Sequence, residues 1–169
     1  MKDGPVLGID PGSVATGYGV IVTGSNGAVS VLGAGVIRTN TKRSFPERLK
    51  HLYDSLCQVI CEYAPSCAAF EEVFVARNAG AALKLGHARA ALIMAAINKG
   101  LNIYEYSALE VKRAVVGYGR AEKRQVQEMV SLILGLDKLL PRDASDALAV
   151  ALCHVQSMKI NDLMKVQIP

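Results

Sequence analysis

The period of apolar and polar positions changes twice along this chain, and each change marks a change of element. Val6 to Asp10 is an unbroken apolar run ending in an aspartate, the pattern of a strand buried on both faces. After the turn residues Pro11-Gly12-Ser13, alternation from Gly17 to Thr23 predicts a second strand. Ser25-Asn26-Gly27 then predicts a hairpin into a third strand, Val29 to Arg38, which makes the first third an antiparallel meander. From Pro46 the period lengthens: Leu49, Leu52, Tyr53, Leu56, Val59 and Ile60 recur at helical spacing until Pro65. A fourth strand over Ala68 to Phe74, an alanine-rich helix from Asn78 to Asn98 and a fifth strand over Leu101 to Tyr106 follow. The remainder reads as three helices: Leu109 to Val116, Ala121 to Leu134, and Arg142 to about Ser157, punctuated by Gly117-Tyr118-Gly119 and Pro141. The expected fold class is α/β, a five-stranded sheet with helices. The expected organisation is one domain over residues 1–158 with a flexible tail over 159–169, because no linker or internal repeat interrupts the pattern.

Composition changes this picture little. The 169 residues are 51% hydrophobic, enough for one well-buried core. Lys and Arg outnumber Asp and Glu by 19 to 15, giving +4 and a pI near 8.9, a mild lean toward polyanionic partners. The start of the chain lacks the features of a signal peptide, and Lys84, His87 and Arg89 interrupt the most apolar helix; a cytoplasmic protein with no membrane span is expected. Cys57, Cys61, Cys67 and Cys153 sit in apolar patterns without a close pair, so buried free thiols are expected and a zinc site is not.

Carboxylates in apolar settings supply the candidate chemistry. Asp10 ends a buried strand, where a carboxylate is costly unless it is paired or binds a cation; the plain alternative is a turn-forming aspartate. Glu71 and Glu72 interrupt the fourth strand, and alternation sends them to opposite faces, so periodicity alone leaves the choice open. Asp143 and Asp146 share a helix face near its start, where they either grip one cation or cap the helix and favour its dipole. A strand-end Asp, a strand Glu and a helical DxxD together suit magnesium, which takes oxygen ligands and leaves positions for water and phosphate. In a two-metal arrangement the ions supply the nucleophile and stabilise the leaving oxygen, and no side-chain nucleophile is needed.

The motifs Leu7-Gly8-Ile9-Asp10-Pro11-Gly12-Ser13, Thr16-Gly17-Tyr18-Gly19-Val20, Glu71-Glu72-Val73-Phe74, Ala82-Leu83-Lys84-Leu85-Gly86 with Ala88-Arg89, Val115-Val116-Gly117, Ala121-Glu122-Lys123 and Asp143-Ala144-Ser145-Asp146-Ala147 stand in an order that resembles the RuvC family of bacterial Holliday-junction resolvases. The resemblance covers nearly the whole chain. It implies an RNase H-like fold, with a mixed sheet flanked by helices, and a structure-selective endonuclease. The implied reaction is paired nicking of strands of like polarity in four-way DNA junctions, in recombination and repair. It places the family's four acidic residues on Asp10, Glu71, Asp143 and Asp146, choosing Glu71 over Glu72 by its spacing from Phe74. It further implies Mg²⁺, two ions per site with Mn²⁺ able to substitute, a homodimer formed through the helix carrying Lys84, Gly86 and Arg89, and work alongside a branch-migration motor.

DNA contacts are expected from Phe74, an aromatic suited to stacking on an unpaired base, and from Arg77, Asn78 and Lys84 beyond it. Lys112, Arg113, Arg120, Lys123 and Arg124 form a basic cluster suited to phosphates, in which Lys112 and Lys123 match family basic positions and Arg120 joins them as an expected contact. Three rivals make different demands. An ATP-binding kinase or actin-like fold needs a second lobe that is not seen, a non-catalytic junction binder has no use for the carboxylates, and a relative acting on RNA hybrids differs only in substrate.

Overall fold

The structure, a computed structural model, describes residues 4–72 and 78–166, with side chains described to residue 160. Five strands, β1 (Val6–Asp10), β2 (Ala15–Thr23), β3 (Val29–Arg38), β4 (Cys67–Glu71) and β5 (Asn102–Tyr106), form one sheet in the order β3-β2-β1-β4-β5. β1, β2 and β3 run antiparallel as the meander, whereas β4 pairs parallel to β1 and β5 parallel to β4. The sheet is therefore mixed, and its fold is RNase H-like. The hairpin turn is closed by Gly24 N donating to the Ala28 carbonyl, with Gly27 in the left-handed region at φ 80°.

Alternation along the strands builds two cores. Leu7, Ile9, Val20, Ala68 and Phe70 face helices α1 (Phe45–Tyr63) and α2 (Ala79–Asn98), which meet them with Leu52, Leu56, Ala88 and Leu92. Val6, Ile21, Cys67 and Ala69 face the other way, onto α5 (Arg142–Val166), with α3 (Ala108–Val116) and α4 (Lys123–Ile133) packed against it. α5 is thus a central helix between sheet and helices, and it is buried almost continuously from Ala144 to Val155.

Glycines let α5 lie close. On the face that meets it, Gly8 pairs with Gly19 and Asp10 with Gly17. A Cβ on Gly8 would overlap the Ala147 carbonyl oxygen, one on Gly17 the Asp143 carbonyl, and one on Gly19 would lie 2.6 Å from the Leu148 side chain. These positions are bare because the helix backbone occupies the space a side chain would take.

The sequence expectations differ from the structure at several places. β4 ends at Glu71 rather than Phe74: its partner β5 ends at Tyr106, where Ser107 turns the chain into α3 with a reciprocal Ser107–Glu110 cap. α5 continues to Val166, past the stop expected near Ser157, since no glycine or proline interrupts it. Neither Asp143 nor Asp146 caps α5, which begins at Arg142, although Asp143 lies in its first turn. α2 is 20 residues long with a hydropathy of 1.2, enough by length and composition to cross a membrane despite its charges; Ala88, Leu92, Ala95 and Ala96 turn one side of it into the core. All four cysteines are free, but only Cys67 and Cys153 are buried; Cys57 is half-buried at the edge of the α1 core stripe, and Cys61, a turn further on, is exposed.

Candidate acidic active site

Parallel pairing of β1 with β4 sets Ile9 opposite Phe70, so the next residues, Asp10 and Glu71, stand side by side where both strands end. Parity separates the two glutamates. Asp10 shares its face with Val6 and Gly8, and Glu71 with Cys67 and Ala69, so both point toward α5. Glu72 falls beyond the strand and is exposed, its N–H donating to the Tyr106 carbonyl at 2.8 Å. The glycine track then brings the first turns of α5 over the same strand ends, adding Asp143 and Asp146, both half-buried, from above.

The electrostatics record this convergence. Burial, followed by the charges of Glu71, Asp146 and Asp143, pushes Asp10 up from an ordinary 3.8 to about 7, against a smaller opposing pull from Lys123. Glu71 is raised by burial and by Asp146, with Lys123 and Lys112 opposing. Asp146 is raised by burial, and Lys123, Arg142 and Lys112 hold it back. Among the described residues, no three such groups are drawn together tightly enough to clasp an ion.

Beside them opens a cleft of about 300 Å³ lined by Glu71, Glu72, Lys112, Lys123 and Asp146 over an apolar floor of Val111, Val126 and Ala149. Two of the expected basic residues, Lys112 from α3 and Lys123 from α4, therefore stand with the carboxylates. Arg124 is instead paired with Glu128 on its own helix, and Arg113 and Arg120 are exposed and do not line the cleft. Lys84 is exposed on α2, on the sheet face opposite α5; Arg89 turns inward to pair with Glu105 of β5. Asn78 caps α2 by accepting from Ala81 N at 3.1 Å. Phe74 and Arg77 lie outside the described residues.

No sequence pattern marks the groups that hold the loop after Asp10. Arg48 of α1 donates to the Ser13 carbonyl through Nη2 and to Thr39 Oγ1 through Nε at 3.1 Å, while Thr39 donates in turn to Ser13 O at 3.1 Å. Buried Thr16 donates to Gly12 O at 2.9 Å and accepts from Gly12 N at 3.2 Å. Thr16 stands within a motif, but Arg48 and Thr39 are distant in sequence and carry no local signal.

The donor set is all hard oxygen, with mutual repulsion that a cation relieves and lysines on one side to receive an anion. These residues fit divalent metal and phosphate. A family model described as crossover junction endodeoxyribonuclease RuvC matches residues 6–154. A protein of that name from Citrifermentans bemidjiense is 52% identical over 160 residues, covering 95% of this chain and 97% of its own length. Its namesake from Geobacter sulfurreducens is 51% identical with the same coverage. Among solved structures, Thermus thermophilus RuvC in complex with a Holliday junction substrate superposes with a TM-score of 0.86 at 34% identity, covering 93% of this chain and 96% of that one.

Proposed function

This chain belongs to the RuvC family of crossover junction endodeoxyribonucleases, and from that premise we propose that it resolves four-way DNA junctions by hydrolysing phosphodiester bonds at the acidic cluster. The convergence of Asp10, Glu71, Asp143 and Asp146 from two strand ends and one helix carries the reading. In it, these carboxylates hold Mg²⁺, two ions per site, with Mn²⁺ as a substitute. When bound, the ions polarise the scissile phosphate and activate water as the nucleophile.

The chain's own groups do the rest. Lys112 and Lys123 receive phosphate oxygens at the cleft and oppose the rise that burial causes in Glu71 and Asp146. The Arg48–Thr39–Ser13 network holds the chain that leaves Asp10, so its carboxylate meets the backbone of the DNA in a fixed orientation. In this reading Phe74 stacks on a base and Arg77 contacts phosphate, roles that rest on the family resemblance.

Pairing of the nicks follows from a homodimer, because two equivalent sites meet a substrate with approximate two-fold symmetry. α2 supports such an interface: Leu83, Met94 and Ile97 are exposed large apolar residues on one helix, and the space where a Gly86 Cβ would stand is open.

The test is a supercoiled plasmid carrying an extruded cruciform, alongside a plasmid without one, each with Mg²⁺ or chelator. Mg²⁺-dependent linearisation of the cruciform plasmid alone, lost in Asp10→Asn, is the expected result, and Leu83→Glu with Ile97→Glu is expected to turn paired cuts into single nicks. Cutting of both plasmids alike, or cutting in chelator, contradicts the reading.

A further inference from the structure

The acidic cluster is assembled from two elements: Asp10 and Glu71 belong to the sheet, Asp143 and Asp146 to α5. Their spacing therefore depends on how far along the sheet the helix sits. The glycine track beneath α5 brings the backbones together but offers no side chains to stop the helix sliding. A slip of one residue moves a helix by about 1.5 Å, enough to misplace a ligand.

One buried side chain of α5 adds a directional polar contact with the sheet to the apolar packing. His154 lies eleven residues after Asp143, about three turns along α5 and on the same face. It is 3% exposed. Its Nδ1 lies 2.8 Å from the Tyr106 hydroxyl of β5 and its Nε2 3.4 Å from Cys67 Sγ of β4. A neutral ring donates from one nitrogen and accepts at the other, and hydroxyl and thiol each serve either role, so both contacts are satisfied in either tautomer. Tyr104 packs on the ring, centroids 4.4 Å apart. Ser157, one turn further along α5, also reaches Tyr106, whereas the link from Lys159 to Gly27 in the β2–β3 turn is exposed. The sheet end of this contact is the cluster's neighbour, since Tyr106 pairs in register with Glu71 and its carbonyl accepts from Glu72 N.

From this geometry we infer that His154, held by Tyr106 and Cys67, is a positioning residue that fixes the axial register of α5 on the sheet and so the spacing between the two halves of the acidic cluster. The inference rests on the cluster being the cation site proposed above. Burial lowers the His154 pKa and raises Tyr106 to about 12 and the Cys67 thiol above its usual value, so the pin is neutral and adds no charge beside the carboxylates.

The test compares the full-length protein with Tyr106→Phe, which removes one oxygen atom, and with His154→Leu. Mn²⁺ binding without DNA is measured by the paramagnetic signal of the free ion, next to junction affinity and single-turnover cleavage. Tyr106→Phe is expected to weaken Mn²⁺ binding and slow cleavage by about tenfold each while junction affinity stays within about twofold. His154→Leu is expected to lose more, and His154→Gln, which keeps a polar contact, to recover part of it. A Tyr106→Phe protein that melts earlier but binds Mn²⁺ and cuts as the parent does overturns the pin, leaving a merely structural bond. This decision stands even if His154→Leu fails to fold. Absence of Mn²⁺ binding in the parent itself overturns the cation site instead, which separates the two failures.

Discussion

Asp10 carries the largest consequence of any single residue. Its carboxyl is raised from 3.8 to about 7, so between those values the folded protein holds a proton that the unfolded chain has released. Stability of the metal-free protein therefore falls as pH rises through that window, by an amount on the order of 4 kcal/mol at most. Glu71 and Asp146 are raised as well and add to the same slope. Asp10→Asn removes the charge that causes this cost. In chelator it is expected to melt above the parent at pH 8, by about 1–2 kcal/mol in stability, and level with it near pH 4. Thermal melts across that range check this, and parallel slopes for the two proteins contradict it. The sequence made Asp10 visible because an aspartate ending an apolar strand is anomalous on its own. Glu71 was not separable from Glu72 by pattern, since parity selects a face only once the position of α5 is known.

Elements were legible where turn residues bound them. β1 and β3 match their expected limits because Pro11-Gly12 and Asn26-Gly27 close them. The ends that moved are those set by partners or by nothing local: β4 stops with β5, and α5 runs on because no breaker follows it. Glycines in the strands marked close approach without saying what approaches; the structure identifies the α5 backbone. Gly17→Ala drives a methyl into the Asp143 carbonyl and lifts the helix at the cluster. It is expected to lose about 1–3 kcal/mol of stability and to lose cleavage beyond its loss of folded protein. Denaturant melts read against cleavage at saturating Mg²⁺ check this, and a variant that cuts at full rate with unchanged stability counts against the close-packed helix as the device that places Asp143.

At the scale of the whole molecule, the site is a product of topology. A meander followed by two parallel strands sets the ends of β1 and β4 side by side, and a central helix crosses them, so residues as distant in sequence as Asp10 and Asp146 meet. Spacing within motifs announced the carboxylates, and the order of motifs announced the family. The contacts joining distant segments, Arg48 to Ser13 and His154 to Tyr106, left no trace in any local pattern. Whether these carboxylates form one cation site is read by anomalous diffraction from crystals soaked in Mn²⁺. A manganese peak between Asp10, Glu71, Asp143 and Asp146, absent in Asp10→Asn, is the result predicted. Manganese bound elsewhere, or a peak in the cluster that survives the substitution at full occupancy, would contradict it.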